Sequence, residues 1–242
     1  LTQRQIHYLW VNRMTNQKPL SIAIDGPAAS GKSTVAECIA DKLDYLFFDT
    51  GVMYRAVTWG ALQEFGNVDD EEKVSVLAEK VKIDVFPPSL KDGRKCDIHL
   101  DGVDITWEIR TPNVDRFVSK VSAYPRVRQA MTMQQRRIGE QGNIVMVGRD
   151  IGTVVLPDAD IKIFLDASIE ERARRRYEEL IHRGEPASLE AVLYSMQRRD
   201  EIDSTRDVAP LKPADDAIRV SSDGKTVDEV VQIIIDLVKQ HP

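Results

Sequence analysis

Residues 20–34 read LSIAIDGPAASGKST, and the architecture of this 242-residue chain follows from that stretch. A short apolar run passes through a glycine-framed loop into a helical pattern, which predicts a buried strand, a loop and a helix. Gly26, Gly31, Lys32 and Ser33 match G-x-x-x-x-G-K-[ST], a pattern in which backbone N–H groups form an anion site at a helix N-terminus. A chance glycine-rich turn is the alternative, but it does not explain the strand and helix on either side.

The loop predicts binding of ATP or another nucleoside triphosphate with Mg²⁺. Lys32 is expected to reach the outer phosphates as a point charge, and the Ser33 hydroxyl to ligate the metal ion that bridges them. The residues expected to contact ATP are Gly26, Pro27, Ala28, Ala29, Ser30, Gly31, Lys32, Ser33 and Thr34.

Composition limits the class of protein. The formal net charge is −6, from 33 basic and 39 acidic residues, which argues against a nucleic-acid partner. No apolar run is long enough to span a membrane, so no membrane partner is expected. The two cysteines, Cys38 and Cys96, give no disulfide framework and fit a reducing compartment, so we expect a cytoplasmic protein.

Strands alternate with helices along most of the chain, which predicts an α/β fold with a parallel sheet flanked by helices. The core is expected over 19–66 and 107–242. Short β-like pieces separated by turns predict a small antiparallel lobe inserted at 67–106. Residues 1–18 are expected to form a flexible extension, with Met14 as the natural start and 1–13 upstream of it; an ordered arm is the alternative.

Residues 170–180 are predicted to form a helix that carries Arg172, Arg175 and Arg176 on one face, and a loop-like stretch follows at 182–186. One interpretation is a solvated face paired with neighbouring glutamates. The other is a mobile lid that brings cations to a migrating phosphoryl group, and the nearby phosphate loop favours it.

The spacing of Arg199, Asp203 and Arg206 places them on one face if their helix runs that far. Spacing alone leaves open whether they form an ordinary ion pair or grip a sugar hydroxyl and a phosphate. Arg149 and Asp150 directly follow an apolar strand, where ligands of open α/β sheets bind, so they are stronger candidates.

The loop motif alone covers switches, motors, transporters and small-molecule kinases. There is no Asn-Lys-x-Asp guanine motif, and motors are usually longer, so a small-molecule kinase fits best. The chain resembles the bacterial cytidylate kinase family from about Leu20 to its final helix. The resemblance is carried by these segments: 24–34 (IDGPAASGKST), 49–55 (DTGVMYR), 124–128 (YPRVR), 148–157 (GRDIGTVVLP) and 206–211 (RDVAPL).

The resemblance implies a nucleoside monophosphate kinase core, with 67–106 as the monophosphate-binding lobe and 170–186 as the lid. It implies Mg²⁺-dependent transfer of phosphate from ATP to CMP, and to dCMP, by a monomer. Lys32, Arg172, Arg175 and Arg176 would be catalytic. The implied acceptor residues are Arg55, Arg149 and Arg206 for the phosphate, Ser119, Arg128 and Asp150 for cytosine, and Arg199, Asp203 and Thr50 for the ribose and its surroundings.

One position departs from the family pattern. An acidic residue commonly precedes the Gly-Arg-Asp segment, and Val147 stands there. If that acid helps to organise the water shell of Mg²⁺, this chain must rely on Ser33, Asp25 or waters instead. Other possibilities stay open: a nucleotide-dependent regulator, a nucleic-acid-associated protein, or a kinase acting on UMP, AMP or shikimate.

Overall fold

The computed structural model describes residues 20–182, 184–206 and 208–240. The predicted flexible extension at 1–18, with Met14 as the natural start, lies outside the described residues.

The structure confirms the α/β fold with a parallel five-stranded sheet flanked by helices. The described strands, in chain order, are β1 (Ser21–Asp25), β2 (Leu46–Asp49), β3 (Ile83–Phe86), β4 (Asp97–Leu100), β5 (Val103–Asp104), β6 (Ile144–Gly148), β7 (Ile161–Asp166) and β8 (Ile218–Ser221). The described α-helices are α1 (Lys32–Leu43), α2 (Gly51–Phe65), α3 (Glu71–Lys80), α4 (Pro112–Val121), α5 (Pro125–Gly139), α6 (Ile169–His182), α7 (Leu189–Thr205) and α8 (Val227–Gln240). The five-stranded sheet has the order β2-β6-β1-β7-β8.

The chain divides into two compact units. The phosphate-loop unit comprises Ile22–Tyr45 and the chain from Val145 onward, and the middle unit comprises, of the described residues, 20–21 and 46–144. The predicted insertion at 67–106 lies within the middle unit. Its behaviour as a separate lobe stays a prediction.

In the phosphate-loop unit, β1 carries the loop at its carboxyl end. Ile22, Ala23 and Ile24 are fully buried, as expected for a strand covered on both faces. β1 pairs in parallel with β7, with Ile22 opposite Ile161 and Asp25 opposite Phe164, and β7 pairs in parallel with β8. Helices α1 and α8 pack together, and so do α6 and α7.

The middle unit contains a three-stranded antiparallel sheet in the order β3-β4-β5. Its first two strands confirm the β pieces expected from the sequence, with Ile83 opposite Leu100. Asp70 is the N-cap of helix α3, and its carboxylate accepts from the Lys73 amide. Helix α2 packs against α4, and α3 packs against α5.

Two features differ from what local sequence suggests. Strand β8 was not expected, because only Val220 of its four residues is buried and the alternation signal is weak. Helix α7 ends at Thr205, and Arg206 has extended backbone angles, so Arg206 does not continue the helical face of Arg199 and Asp203.

Candidate active site

The phosphate loop is compact, and glycine is required at its first position. A Cβ atom added to Gly26 would overlap the carbonyl oxygen of Leu165 at the end of β7. Gly31 precedes helix α1 with φ of 88°, a left-handed conformation that glycine adopts without strain. The loop backbone is therefore held closely against the sheet, where a phosphate can approach its amides.

Lys32 closes over the loop. Its Nζ donates to the Pro27 carbonyl oxygen at 2.8 Å, and the side chain is buried. Helix α1 begins at Lys32, and its N-cap residue, Gly31, has no side chain that could accept a hydrogen bond from the first amides of the helix. Such a helix start suits an anion. The ammonium group thus lies along the loop.

Asp25, the last residue of β1, has an arrangement that the loop motif does not predict. Its two carboxylate oxygens accept from the Ile151 amide at 2.8 Å and the Gly152 amide at 2.7 Å. Burial raises its pKa to about 6, with the backbone hydrogen bonds and Lys32 opposing that rise and the Asp150 charge adding to it. The carboxylate therefore contacts the segment that follows Arg149 and Asp150.

Arg172 faces inward toward the phosphate loop. Its guanidinium donates to the carbonyl oxygens of Ala167 at 3.0 Å and Ala28 at 3.3 Å, and to the Asp200 carboxylate at 2.6 Å. Only 5% of the residue is exposed. Arg172 thus joins helix α6, helix α7 and the loop through one buried charge.

Arg175 also contacts the loop, through a different partner. It donates to the Ser222 hydroxyl at 2.9 Å and the Ser222 carbonyl at 2.8 Å, and Ser222 in turn donates to the Ser30 carbonyl at 3.1 Å. Arg176, by contrast, is paired with the surface residue Glu179 at 2.7 Å. The three arginines share a helix but have different surroundings.

A charged cluster lies at the carboxyl end of β6. Arg149 donates to Asp203 at 2.9 Å, and Arg206 lies 3.7 Å from carboxylate oxygens of both Asp150 and Asp203. Four of the predicted acceptor residues are therefore brought together, although Arg206 is beyond the helix.

Arg199 borders this cluster. Although exposed at the surface, it has a lowered pKa, because surrounding protein atoms desolvate its guanidinium and the positive charges of Arg149 and Arg176 repel it, with Asp203 opposing. Two further guanidiniums within electrostatic reach of Arg199 favour an anionic ligand beside it.

The middle unit holds the other predicted acceptor residues. Arg55 pairs with Asp115 at 2.5 Å and donates to the Ile109 carbonyl oxygen. Arg128 is buried, donates to the Ser122 carbonyl oxygen and lies over the Tyr54 ring at 5.6 Å. The remaining two differ in exposure: Thr50 is buried and Ser119 is exposed.

Comparison with known proteins is consistent with this geometry. The profile of the family described as cytidylate kinase matches residues 22–240. This chain belongs to the cytidylate kinase family. The cytidylate kinase of Bacillus subtilis (strain 168) is 46% identical over 224 residues, which cover 93% of this chain and 98% of that protein.

Two further relatives carry the same name. The cytidylate kinase of Roseiflexus castenholzii is 50% identical over 218 residues, covering 90% of this chain and 92% of that protein. That of Herpetosiphon aurantiacus is 47% identical over 224 residues, covering 93% and 96%. The predicted family and enzyme class are confirmed.

Three residues of the candidate site were not singled out by the sequence analysis: Asp200, Ser222 and Tyr54. The contacts of Asp25 with backbone amides were not anticipated either. Asp25 has a local signal, since it directly precedes the first loop glycine. Asp200 adjoins Arg199, whereas nothing in the sequence around Ser222 points to the phosphate loop.

The described residues contain no group of three or more His, Cys, Asp or Glu side chains that could hold a metal ion. Mg²⁺ in phosphoryl-transfer sites, however, is bound mainly by substrate phosphates and water with one or two protein oxygens. The Ser33 hydroxyl, one residue after Lys32, is such an oxygen. The donor set therefore fits Mg²⁺ delivered with a nucleotide, although Val147 supplies no carboxylate.

The described residues also include no helix long and apolar enough to cross a membrane.

Proposed function

We propose that this protein transfers the γ-phosphoryl group of ATP to CMP and to dCMP, releasing ADP and the cytidine diphosphate. The observation that carries the proposal is the phosphate loop with Lys32 in the same compact unit as the charged cluster of Arg149, Asp150, Asp203 and Arg206. Membership of the cytidylate kinase family supports CMP as the acceptor.

The phosphates of ATP bind residues 26–34 in this proposal. The backbone amides of the loop and the start of α1 receive the β and γ phosphates, and Lys32 exchanges the Pro27 carbonyl for phosphate oxygens. The Ser33 hydroxyl would hold the Mg²⁺, and the metal ion would supply neutralisation of the phosphate charge.

The acceptor is recognised by its phosphate, base and sugar. Arg55, Arg149 and Arg206 hold the phosphate, Arg199 and Asp203 hold the ribose, and Thr50 lines the pocket. Ser119, Arg128 and Asp150 read cytosine. A carboxylate such as Asp150 accepts from the exocyclic amino group of cytosine, whereas uracil presents a carbonyl there and is repelled.

A phosphate oxygen of CMP attacks the γ phosphorus in line, and the bond to the β–γ bridging oxygen of ATP breaks. The attacking oxygen is already anionic, so no general base is required. Lys32 and the lid arginines Arg172, Arg175 and Arg176 position the groups and stabilise the transferring charge.

We further propose a cytoplasmic monomer without nucleic-acid or membrane partners. The acidic balance supports the absence of a nucleic-acid partner, and the two cysteines, which are free thiols, support the cytoplasmic location. The monomer is the expectation from the family resemblance. Light scattering should give one mass near 27.3 kDa at all concentrations. A mass that doubles with concentration would contradict the monomer.

The test is ADP release by the purified chain with Mg·ATP and, separately, CMP, dCMP, UMP, AMP and shikimate. Lys32→Ala is the control for contaminating activity. Fast turnover confined to CMP and dCMP, and lost in the control, is the expected result. Fast turnover with another acceptor alone would identify a different kinase. ATP binding without turnover on any acceptor would indicate a regulator.

A further inference from the structure

Asp25 is a buried carboxylate that lies outside the phosphate and cytosine contacts assigned above. It is 4% exposed, and each of its oxygens accepts one backbone amide, from Ile151 and Gly152. Buried carboxylates are rare unless they are paired or strongly hydrogen-bonded. The two amides come from a segment 126 and 127 residues further along the chain, so the contact joins two distant parts of the sequence.

Both ends of this contact adjoin the proposed chemistry. Asp25 immediately precedes Gly26, the first residue of the phosphate loop. Ile151 and Gly152 immediately follow Arg149 and Asp150, to which the proposed function assigns the acceptor phosphate and the cytosine base. One carboxylate therefore connects the ATP loop with the acceptor-reading segment.

The amides belong to the start of a helical turn over Ile151–Val155. In that turn the amides of Val154 and Val155 donate to the Asp150 carbonyl oxygen. The first amides of any helical segment lack a partner within the segment, and a carboxylate is a favourable acceptor for them. Asp25 supplies that acceptor from a different part of the chain.

The phosphate-loop side of the contact is fixed by other interactions as well. Asp25 pairs with Phe164 in the β1–β7 ladder, and Gly26 lies against the Leu165 carbonyl oxygen. Loss of the carboxylate should therefore leave the loop in place and release mainly the 149–152 segment.

We infer that Asp25 is a positioning residue that holds the Arg149–Asp150 segment in register with the phosphate loop, so that CMP is bound and selected in line with ATP. This inference depends on the proposed function for its effect on CMP. The contact itself can be tested without it.

The principal variant is Asp25→Asn, which preserves shape. An amide group has one oxygen, so one of the two backbone amides would face an NH₂ donor instead of an acceptor. Losing a hydrogen bond to a charged group predicts a KM for CMP raised roughly tenfold or more. The KM for ATP should change by less than about threefold, because the sheet contacts that fix the loop do not involve the carboxylate.

A purely structural role would lower stability without changing base selection. We therefore measure the ratio of kcat/KM for CMP and UMP in Asp25→Asn, Asp150→Asn and the double variant. Asp25→Asn should lower the ratio, and should lower it less when Asp150 is already changed, because the first residue acts through the second. Additive effects would overturn the inference.

Gly152→Ala is a second variant that leaves every charge in place. Its added Cβ would lie 3.4 Å from the Asp25 carboxylate, an ordinary contact, and 3.3 Å from the Lys162 side chain, which must give way by a few tenths of an ångström. Because both hydrogen bonds to Asp25 are kept, this variant should raise the KM for CMP much less than Asp25→Asn does. Glu229→Gln is the matched control, since it removes a carboxylate that accepts the Thr226 amide at 2.8 Å beside helix α8. The control should behave as the unchanged protein.

Hydrogen exchange separates the contact from the catalytic proposal. Amide exchange in a peptide covering 150–155 should be faster in Asp25→Asn than in the unchanged protein, with or without kinase activity. Unchanged exchange with unchanged CMP kinetics would overturn the inference. A defect that disappears as the Mg²⁺ concentration rises would also overturn it, because Asp25 would then act through the metal. Failure of the unchanged protein to phosphorylate CMP would instead refute the proposed function.

Discussion

Alanine substitutions of the three lid arginines should change the stability of the protein by different amounts, although the three residues share one helix. Arg172 is buried against Asp200 and two carbonyl oxygens, whereas Arg176 is half exposed and forms an ion pair with Glu179 at the surface. The perturbation is Arg172→Ala compared with Arg176→Ala. Arg174→Ala is the matched control, since Arg174 lies on the same helix and forms ion pairs with Glu171 and Glu178 at the surface.

The expected magnitudes follow from these environments. Removing one partner of a buried ion pair costs about 3–5 kcal/mol, because the other charge stays buried. The side chain of Asp200 is 26% exposed, so we expect the lower end of that range, about 3 kcal/mol. For a chain of this size that lowers Tm by roughly 6–12 °C. Arg176→Ala and Arg174→Ala should each stay within about 0.5 kcal/mol of the unchanged protein.

Thermal unfolding and steady-state kinetics on the same preparations provide the assay. Arg172→Ala should lose both stability and kcat. Arg176→Ala should keep its Tm and lose on the order of 10³ or more in kcat, as expected of an arginine that touches the transferring phosphoryl group. Equal loss of Tm in both variants would refute the structural reasoning, and full turnover in all three lid variants, at positions 172, 175 and 176, would refute the lid assignment.

Three further predictions concern residues of the phosphate-loop unit. Asp150→Asn should reduce the preference for CMP over UMP by about 1–3 kcal/mol, measured as the ratio of kcat/KM values; an unchanged ratio would remove Asp150 from base recognition. Gly26→Ala should abolish ATP binding in calorimetry, since the new Cβ overlaps the Leu165 carbonyl oxygen; normal binding would contradict the loop geometry. Burial raises the pKa of Asp25 from 3.8 to about 6, so the folded protein retains a proton that the unfolded chain has lost. Relative to Asp25→Asn, the free energy of unfolding in urea should therefore fall as pH rises from about 4 to 6, and a rise would contradict the shift.

The parts of this fold that were predictable from sequence have local signals. The strand, loop and helix over 20–34 combine an apolar run, two glycines and a helical period within fifteen residues. Charged residues directly follow the apolar strand β6, and the apolar strand β7 ends in Asp166, which marks the ligand-binding edge. Short-range pattern and chemistry agreed at each of these positions.

Other features depend on contacts that local sequence does not encode. The Asp25 carboxylate meets amides more than 120 residues away, and backbone amides have no sequence signature. Helical spacing placed Arg172, Arg175 and Arg176 on one face but could not show that their partners come from different segments. The end of helix α7 likewise depends on the segment that follows the helix. There the Arg206 guanidinium donates to the Ala209 carbonyl oxygen.

The most direct measurement follows the phosphorus atom itself. The purified chain is incubated with ATP labelled at the γ phosphate, Mg²⁺ and CMP, and the products are separated. The account predicts label in CDP, formed only when CMP is present and lost in Lys32→Ala. Label released solely as inorganic phosphate, at a rate that does not depend on CMP, would contradict phosphoryl transfer to a nucleoside monophosphate.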